Sequence, residues 1–122
     1  MGGKSYDCGM KLRVSGPARR DILAILAWSG ERFGENARER YEQLIASALR
    51  SITSDAEPIG TKRHPDLSAD LRLLHLRYIS QVGGDPIVRK PRHLIAFRKA
   101  GPDLIVVVRV LHDAMDLPAR LI

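Results

Sequence analysis

The sequence is almost without cysteine. Cys8 is the only one in 122 residues, so no disulfide can form within the chain. That excludes the disulfide-stapled class of small secreted domains and fits a reducing cytoplasm, the location expected here. No apolar run approaches the roughly 18–20 residues that a membrane span needs. The opening MGGKSYDCGM is too polar for a secretory signal, and residues 1–9 are expected to be a loose leader. No glutamate follows Glu57, and there is no glycine-rich phosphate loop. The histidines, His64, His75, His93 and His112, are scattered. His112 and Asp116 make only a lone H-x-x-x-D, which lacks the clustered spacing of zinc ligands, so neither metal nor cofactor is expected.

What is present is an ordinary globular composition, 44% hydrophobic, in a chain of single-domain length, and residues 10–122 are expected to fold as one unit. The net charge is +6, and its position matters. Between Thr61 and Ala100, nine basic residues stand against only Asp66, Asp70 and Asp85, while the rest of the chain is balanced. A basic second half favours an acidic partner, either nucleic acid or an acidic protein segment.

Residues 10–15, MKLRVS, alternate apolar and polar and predict a short strand. Ser15-Gly16-Pro17 then marks a helix start. Ala18, Ile22, Ile25, Leu26, Ser29 and Phe33 follow at helical spacing until Gly34 breaks the helix. A second helix from about Glu35 shows Ala37, Tyr41, Leu44, Ile45, Ala48, Leu49 and Ile52 on one face. So short a connection predicts an antiparallel helical hairpin. Residues 54–69 are loop by composition. Three β segments follow at Leu71–Ile79, Arg92–Arg98 and Leu104–Leu111, the last apolar enough to be a central strand. The tail from Ala114 to Ile122 is expected to be a short helix capped by Asp113 and limited by Pro118. The fold class is α+β, in the order β-α-α-β-β-β, with the hairpin packed on a small, mostly antiparallel sheet.

The third β segment raises a chemical question, because it carries Arg109 and runs into His112, Asp113 and Asp116. Side-chain period two puts residues 105, 107, 109 and 111 on one face, where an arginine must be paired or reach water. Asp113 or Asp116 is the expected partner, and His112 and Asp113 are equally suited to capping the terminal helix.

Two patterns in the chain resemble the ParE toxins of the RelE/ParE superfamily, from type II toxin–antitoxin modules. One is the strand followed by Ala18, Asp21, Ile22, Ile25, then Ala37, Tyr41 and Ile45. The other, more specific, is R-V-L-H-x-x-M-D, here Arg109, Val110, Leu111, His112, Met115 and Asp116. The resemblance covers about residues 11–121. It implies a cytoplasmic toxin held in a hetero-oligomer by a cognate ParD-like antitoxin with an acidic C-terminal segment. ParE members are associated with poisoning DNA gyrase, whereas RelE members cut mRNA on the ribosome. One departure is the 80–91 segment, SQVGGDPIVRKP, longer than the usual tight turn.

Three functions fit the sequence. The first is a gyrase-binding toxin that breaks no bond, with Arg92, Arg98, Arg109, His112 and Asp116 on the target. In that case Trp28, Phe33, Arg72 and Arg77 meet the antitoxin, aromatics and arginine being common binding anchors. The second is a RelE-like ribosome-dependent ribonuclease with His112 as acid, Arg109 as phosphate clamp and His93 as a further acid–base group. Against it, no carboxylate base other than aspartate is available after Glu57, Tyr78 is the only tyrosine of the second half, and the chain ends Arg-Leu-Ile. The third is a non-toxic copy that only binds antitoxin.

Overall fold

The computed structural model describes residues 10–55, 58, 60–63, 70–79, 81–82, 85–86, 88 and 90–114. The chain enters as strand β1 (Lys11–Val14) and turns into helix α1 (Gly16–Phe33). The turn is fixed by one hydroxyl. Ser15 Oγ accepts the Ala18 N–H at 3.1 Å, as a helix cap should, and donates to the Val108 carbonyl at 2.9 Å, which ties the helix start to the sheet. α1 stops at Gly34, whose φ of +95° suits glycine and strains other residues. Helix α2 (Glu35–Ser54) begins at the next residue, so Gly34 forms the entire bend of the hairpin. α2 buries Tyr41, Leu44, Ile45, Ala48 and Ile52, the stripe its spacing predicts, while Arg38 pairs with Glu35 and Glu42 on the outer face.

After α2 come β2 (Lys62–Arg63), β3 (Leu71–His75), the short ladder β4 (Gln81–Val82) with β5 (Asp85–Pro86), β6 (His93–Gly101) and β7 (Leu104–His112). Five strands form one mixed sheet in the order β1-β7-β6-β3-β2; β1 and β7 are parallel and the other neighbours antiparallel. The α+β expectation holds, with β7 an interior strand between β1 and β6. β2 falls in a stretch expected to be loop, and the 80–91 segment carries the β4–β5 ladder. The predicted strand Leu71–Ile79 ends early, at His75. There the His75 imidazole accepts the Arg77 N–H at 3.1 Å and the chain coils into a 3-10 turn over Leu76–Tyr78, sinking Leu76 into the core. Gly60 lies under that turn: a Cβ there would sit 2.4 Å from the Tyr78 ring, and its φ is +98°. The expected terminal helix, Ala114 to Ile122, lies beyond Ala114 outside the described residues.

The main core lies between the helices and one sheet face, around Phe97, Leu44, Ile52, Leu74, Ile95, Ile105 and Val107. Leu71, Leu73, Leu94, Ala96 and Leu111 form a second cluster, with Val108 packed against it. The expectation that residues 105, 107, 109 and 111 share one face is corrected here. Phe97 pairs with Val107 but Ala96 pairs with Arg109, so Val108 is an extra residue, a β-bulge in β7. Past it the alternation shifts. Val110 joins Ile105 and Val107 in the main core, while Leu111 packs in the other cluster.

Candidate functional site

A groove of about 710 Å³ opens between the tip of the helical hairpin and the start of β6. Its helical wall is built by residues one turn apart, Ser29 and Phe33 from α1, then Ala37, Arg40 and Tyr41 from α2, with Trp28 at the lip. Val88, Lys90, Arg92 and His93 form the opposite wall. Trp28 is 44% exposed and Phe33 63%. Their rings meet edge to face at 5.6 Å, and the Arg32 guanidinium stands 5.8 Å from the Trp28 ring. The groove is therefore aromatic at its mouth and basic along its sides.

Its floor is a buried polar pair. The Tyr41 hydroxyl accepts the Arg92 N–H at 3.2 Å and shares a hydrogen bond with His93 Nδ1 at 2.6 Å. Burial, assisted by the neighbouring His112, pushes the His93 imidazole down to about 4, and burial pushes the Tyr41 phenol up. His93 is thus neutral near pH 7, and the phenol keeps its proton. The pair joins α2 to β6.

Beside the groove, Asp113 gathers two basic side chains. Arg92 binds it through Nε at 3.2 Å and Nη2 at 3.1 Å, and His75 Nε2 lies 2.9 Å from Oδ2. Hydrogen bonding from Arg92, then from His75, holds the Asp113 carboxyl at about 2. The terminal helix that His112 or Asp113 was expected to cap lies outside the described residues; within them the Asp113 carboxylate serves Arg92 and His75, and His112 Nδ1 accepts the Ala114 N–H at 3.0 Å. The His112 ring stands 5.2 Å from that of His93.

Arg109 belongs to a different place. Its Nε and Nη2 reach the Asp21 carboxylate at 2.7 and 3.0 Å, and the same carboxylate accepts the Val110 N–H at 3.0 Å. β1 pairs with β7 only as far as Val14 and Val107, which leaves the edge of β7 open beyond that point. Asp21, two turns into α1, closes it. The expected pairing of Arg109 with Asp113 is therefore wrong, and Asp116 lies outside the described residues. The useful signal was Asp21 itself, a carboxylate beside the apolar stripe of α1.

The expected target-binding residues do not form one cluster. Arg92 and His112 meet around Asp113, Arg98 is exposed farther along β6, and Arg109 is clasped to α1. Of the expected antitoxin-binding residues, Trp28 and Phe33 come together in the groove. Arg77 is on the 3-10 turn, 5.1 Å from the Tyr78 ring, and Arg72 is buried at 9% exposure. Sequence reasoning missed Arg40 and Lys90 as groove residues; Arg40 beside Tyr41, and Lys90 in the basic run before β6, were the available signs. For the alternative catalytic set, His93 is buried on Tyr41 with the partly exposed His112 ring beside it, while Arg109 is paired with Asp21. Among the described residues, no group of three or more His, Cys, Asp or Glu could hold a metal ion, and no helix is long and apolar enough to cross a membrane.

Comparison with known proteins agrees with this architecture. Among solved structures, the chain is similar to one described as the chromosomal ParDE TA system from P. aeruginosa, with a TM-score of 0.60 and 17% identity over 86% of this chain and 97% of that one. A comparison with curated protein sequences finds no match. The family model for the ParE toxin of the type II toxin–antitoxin system, parDE, matches residues 12–117. With the strand, helical hairpin and sheet in place over that same span, the chain belongs to the ParE toxin family of type II toxin–antitoxin systems.

Proposed function

We propose that this chain inhibits growth in the bacterial cytoplasm by binding DNA gyrase rather than by cleaving a bond, and that a ParD-like antitoxin neutralises it. The observation that carries the binding mode is the occupation of the candidate catalytic groups: Arg109 by Asp21, Arg92 by Asp113 and His93 by Tyr41. A ribonuclease needs a proton donor, an acceptor and phosphate-binding cations converging on one point. Here His93, the further acid–base candidate, is held neutral and buried in the fold. Gyrase as target is supported only by the resemblance to ParE toxins, which are associated with poisoning it.

The antitoxin half of the proposal is supported by the groove. Exposed Trp28 and Phe33 beside Arg40, Lys90 and Arg92 suit an acidic amphipathic segment that folds as it docks. The test is a pair of assays on antitoxin-free protein, one of gyrase supercoiling and trapped DNA cleavage, the other of mRNA integrity on translating ribosomes. Gyrase inhibition with intact mRNA is the expected result. Cut mRNA, lost on His112→Ala, would replace this proposal with the ribonuclease.

A further inference from the structure

β1 and β6 place three cations together on the sheet face opposite the helices. Met10 and Val14 pack against the main core, so the alternation of β1 turns Lys11 and Arg13 the other way. Phe97 lies in the same core, so Arg98, next to it in β6, also faces away from the helices. The register brings the two strands' cations into one group. Arg13 pairs with Val106 and Val106 with Arg98, so the two arginines flank a half-buried valine. Two strand spacings put their Cα atoms about 10 Å apart, and Lys11 lies about 7 Å from Arg13 along β1. All three are exposed, and none makes an ion pair among the described residues. Asp103, in the β6–β7 turn beside Lys11, accepts the Lys11 N–H through its carbonyl at 2.6 Å, and no ion pair joins the two side chains.

We propose that Lys11, Arg13 and Arg98 form a docking site for the phosphate backbone of duplex DNA, bound without regard to sequence. A protein partner draws most of its binding energy from aromatic or other large anchors, and a single strand needs rings on which its bases can stack. This group of cations offers neither. The exposed aromatics are on the hairpin, Trp28 and Phe33, and on the 3-10 turn, Tyr78, while exposed Leu12 pairs with Ile105 on the helix side of the sheet. Duplex DNA requires no such anchor. Its outer surface carries one charge per about 1.7 Å of axis, and exposed cations bind it by releasing condensed counterions. Arginine adds a planar donor edge suited to phosphate oxygens. The site is separate from the groove, because His93, in the groove wall, starts β6 on the other face and Arg98 lies toward its far end.

The test is fluorescence anisotropy of a short labelled DNA duplex of mixed sequence, titrated with the full chain at several salt concentrations. Three phosphate contacts should make log affinity fall against log salt with a slope of about −2.7. Arg98→Gln or Arg13→Gln should each reduce that slope by about 0.9 and weaken binding about eightfold at roughly 0.1 M salt, the factor set by one lost contact. Arg50→Gln, an exposed change of the same charge on α2, should alter affinity by less than about twofold, which separates the site from net charge. These exposed substitutions should leave thermal unfolding of the free protein in place. Absence of saturable duplex binding, an equal loss on Arg50→Gln, or tighter binding to the corresponding single strand would overturn the proposal. The readout needs neither gyrase nor antitoxin. A chain that binds duplex and leaves gyrase unaffected retains the site and loses the gyrase reading, and a chain that inhibits gyrase without binding duplex does the opposite.

Discussion

Helix α1 treats its two ends differently. At its start, Ser15 is bonded to Val108 and Asp21 grips both Arg109 and the Val110 N–H, so three side-chain contacts fix the helix to β7. At its end, Trp28 and Phe33 lean on each other and on Arg32 and are otherwise turned to solvent. One amphipathic helix thus supplies a clasp for the fold and an apolar lip for a groove. A polar group beside the sheet edge has unsatisfied backbone to bind, whereas the aromatics at the far end keep much of their surface uncovered among the described residues.

That contrast can be broken from either side, and the largest effect is expected at the clasp. Asp21→Ala leaves the Arg109 guanidinium and the Val110 N–H without this acceptor. It should destabilise the protein by about 2–3 kcal/mol in urea unfolding, with Asp21→Asn recovering part of the loss. Trp28→Ala at the lip should do the reverse. It should change stability by no more than about 0.5 kcal/mol. It should also weaken antitoxin binding by about 2 kcal/mol, roughly thirtyfold, in calorimetric titration. If Trp28→Ala unfolds the protein, the lip is part of the core and the comparison fails.

A smaller effect is expected where the two regions meet, at the groove floor. Tyr41→Phe removes the hydroxyl shared by His93 and the Arg92 N–H and should lower stability by about 1 kcal/mol, read by thermal unfolding. The same pair predicts a pH dependence. His93 has a folded value of about 4 against an ordinary 6.5, so the unfolded chain takes up a proton that the folded protein refuses. Its contribution is fully present above pH 6.5 and is lost as pH falls toward 4. Asp113, held at about 2 against an ordinary 3.8, acts lower, contributing stability above pH 3.8 that is lost as pH falls to 2. Urea unfolding across pH should show both windows. His93→Gln should flatten the upper one and Asp113→Asn the lower one, each leaving the other in place.

The hairpin was legible because its signals are local. Ser15, Pro17 and Gly34 act within a turn of their own positions, and the α2 stripe from Tyr41 to Ile52 is read off a single period. The groove was half legible. Trp28 and Phe33 stand out as aromatics near a helix end, but their neighbours Arg40 and Lys90 belong to segments that approach only when α2 lies across β6. The strand faces of β7 were misread beyond Val107 because a bulge inserts Val108 and shifts the alternation. Nothing in IVVVRVLH marks that insertion. It exists only in the register with β6.

By itself, then, the sequence determined the elements, their order and the family pattern, since capping, glycine conformation and hydrophobic periodicity act over a few residues. The tertiary structure alone decided which charges meet. Arg109 finds Asp21 across 88 residues, Asp113 finds Arg92 and His75, and Arg72 is buried across the ladder from Phe97. Ion pairs depend on distances of a few ångströms and on local exclusion of water, and both are set only when distant segments pack.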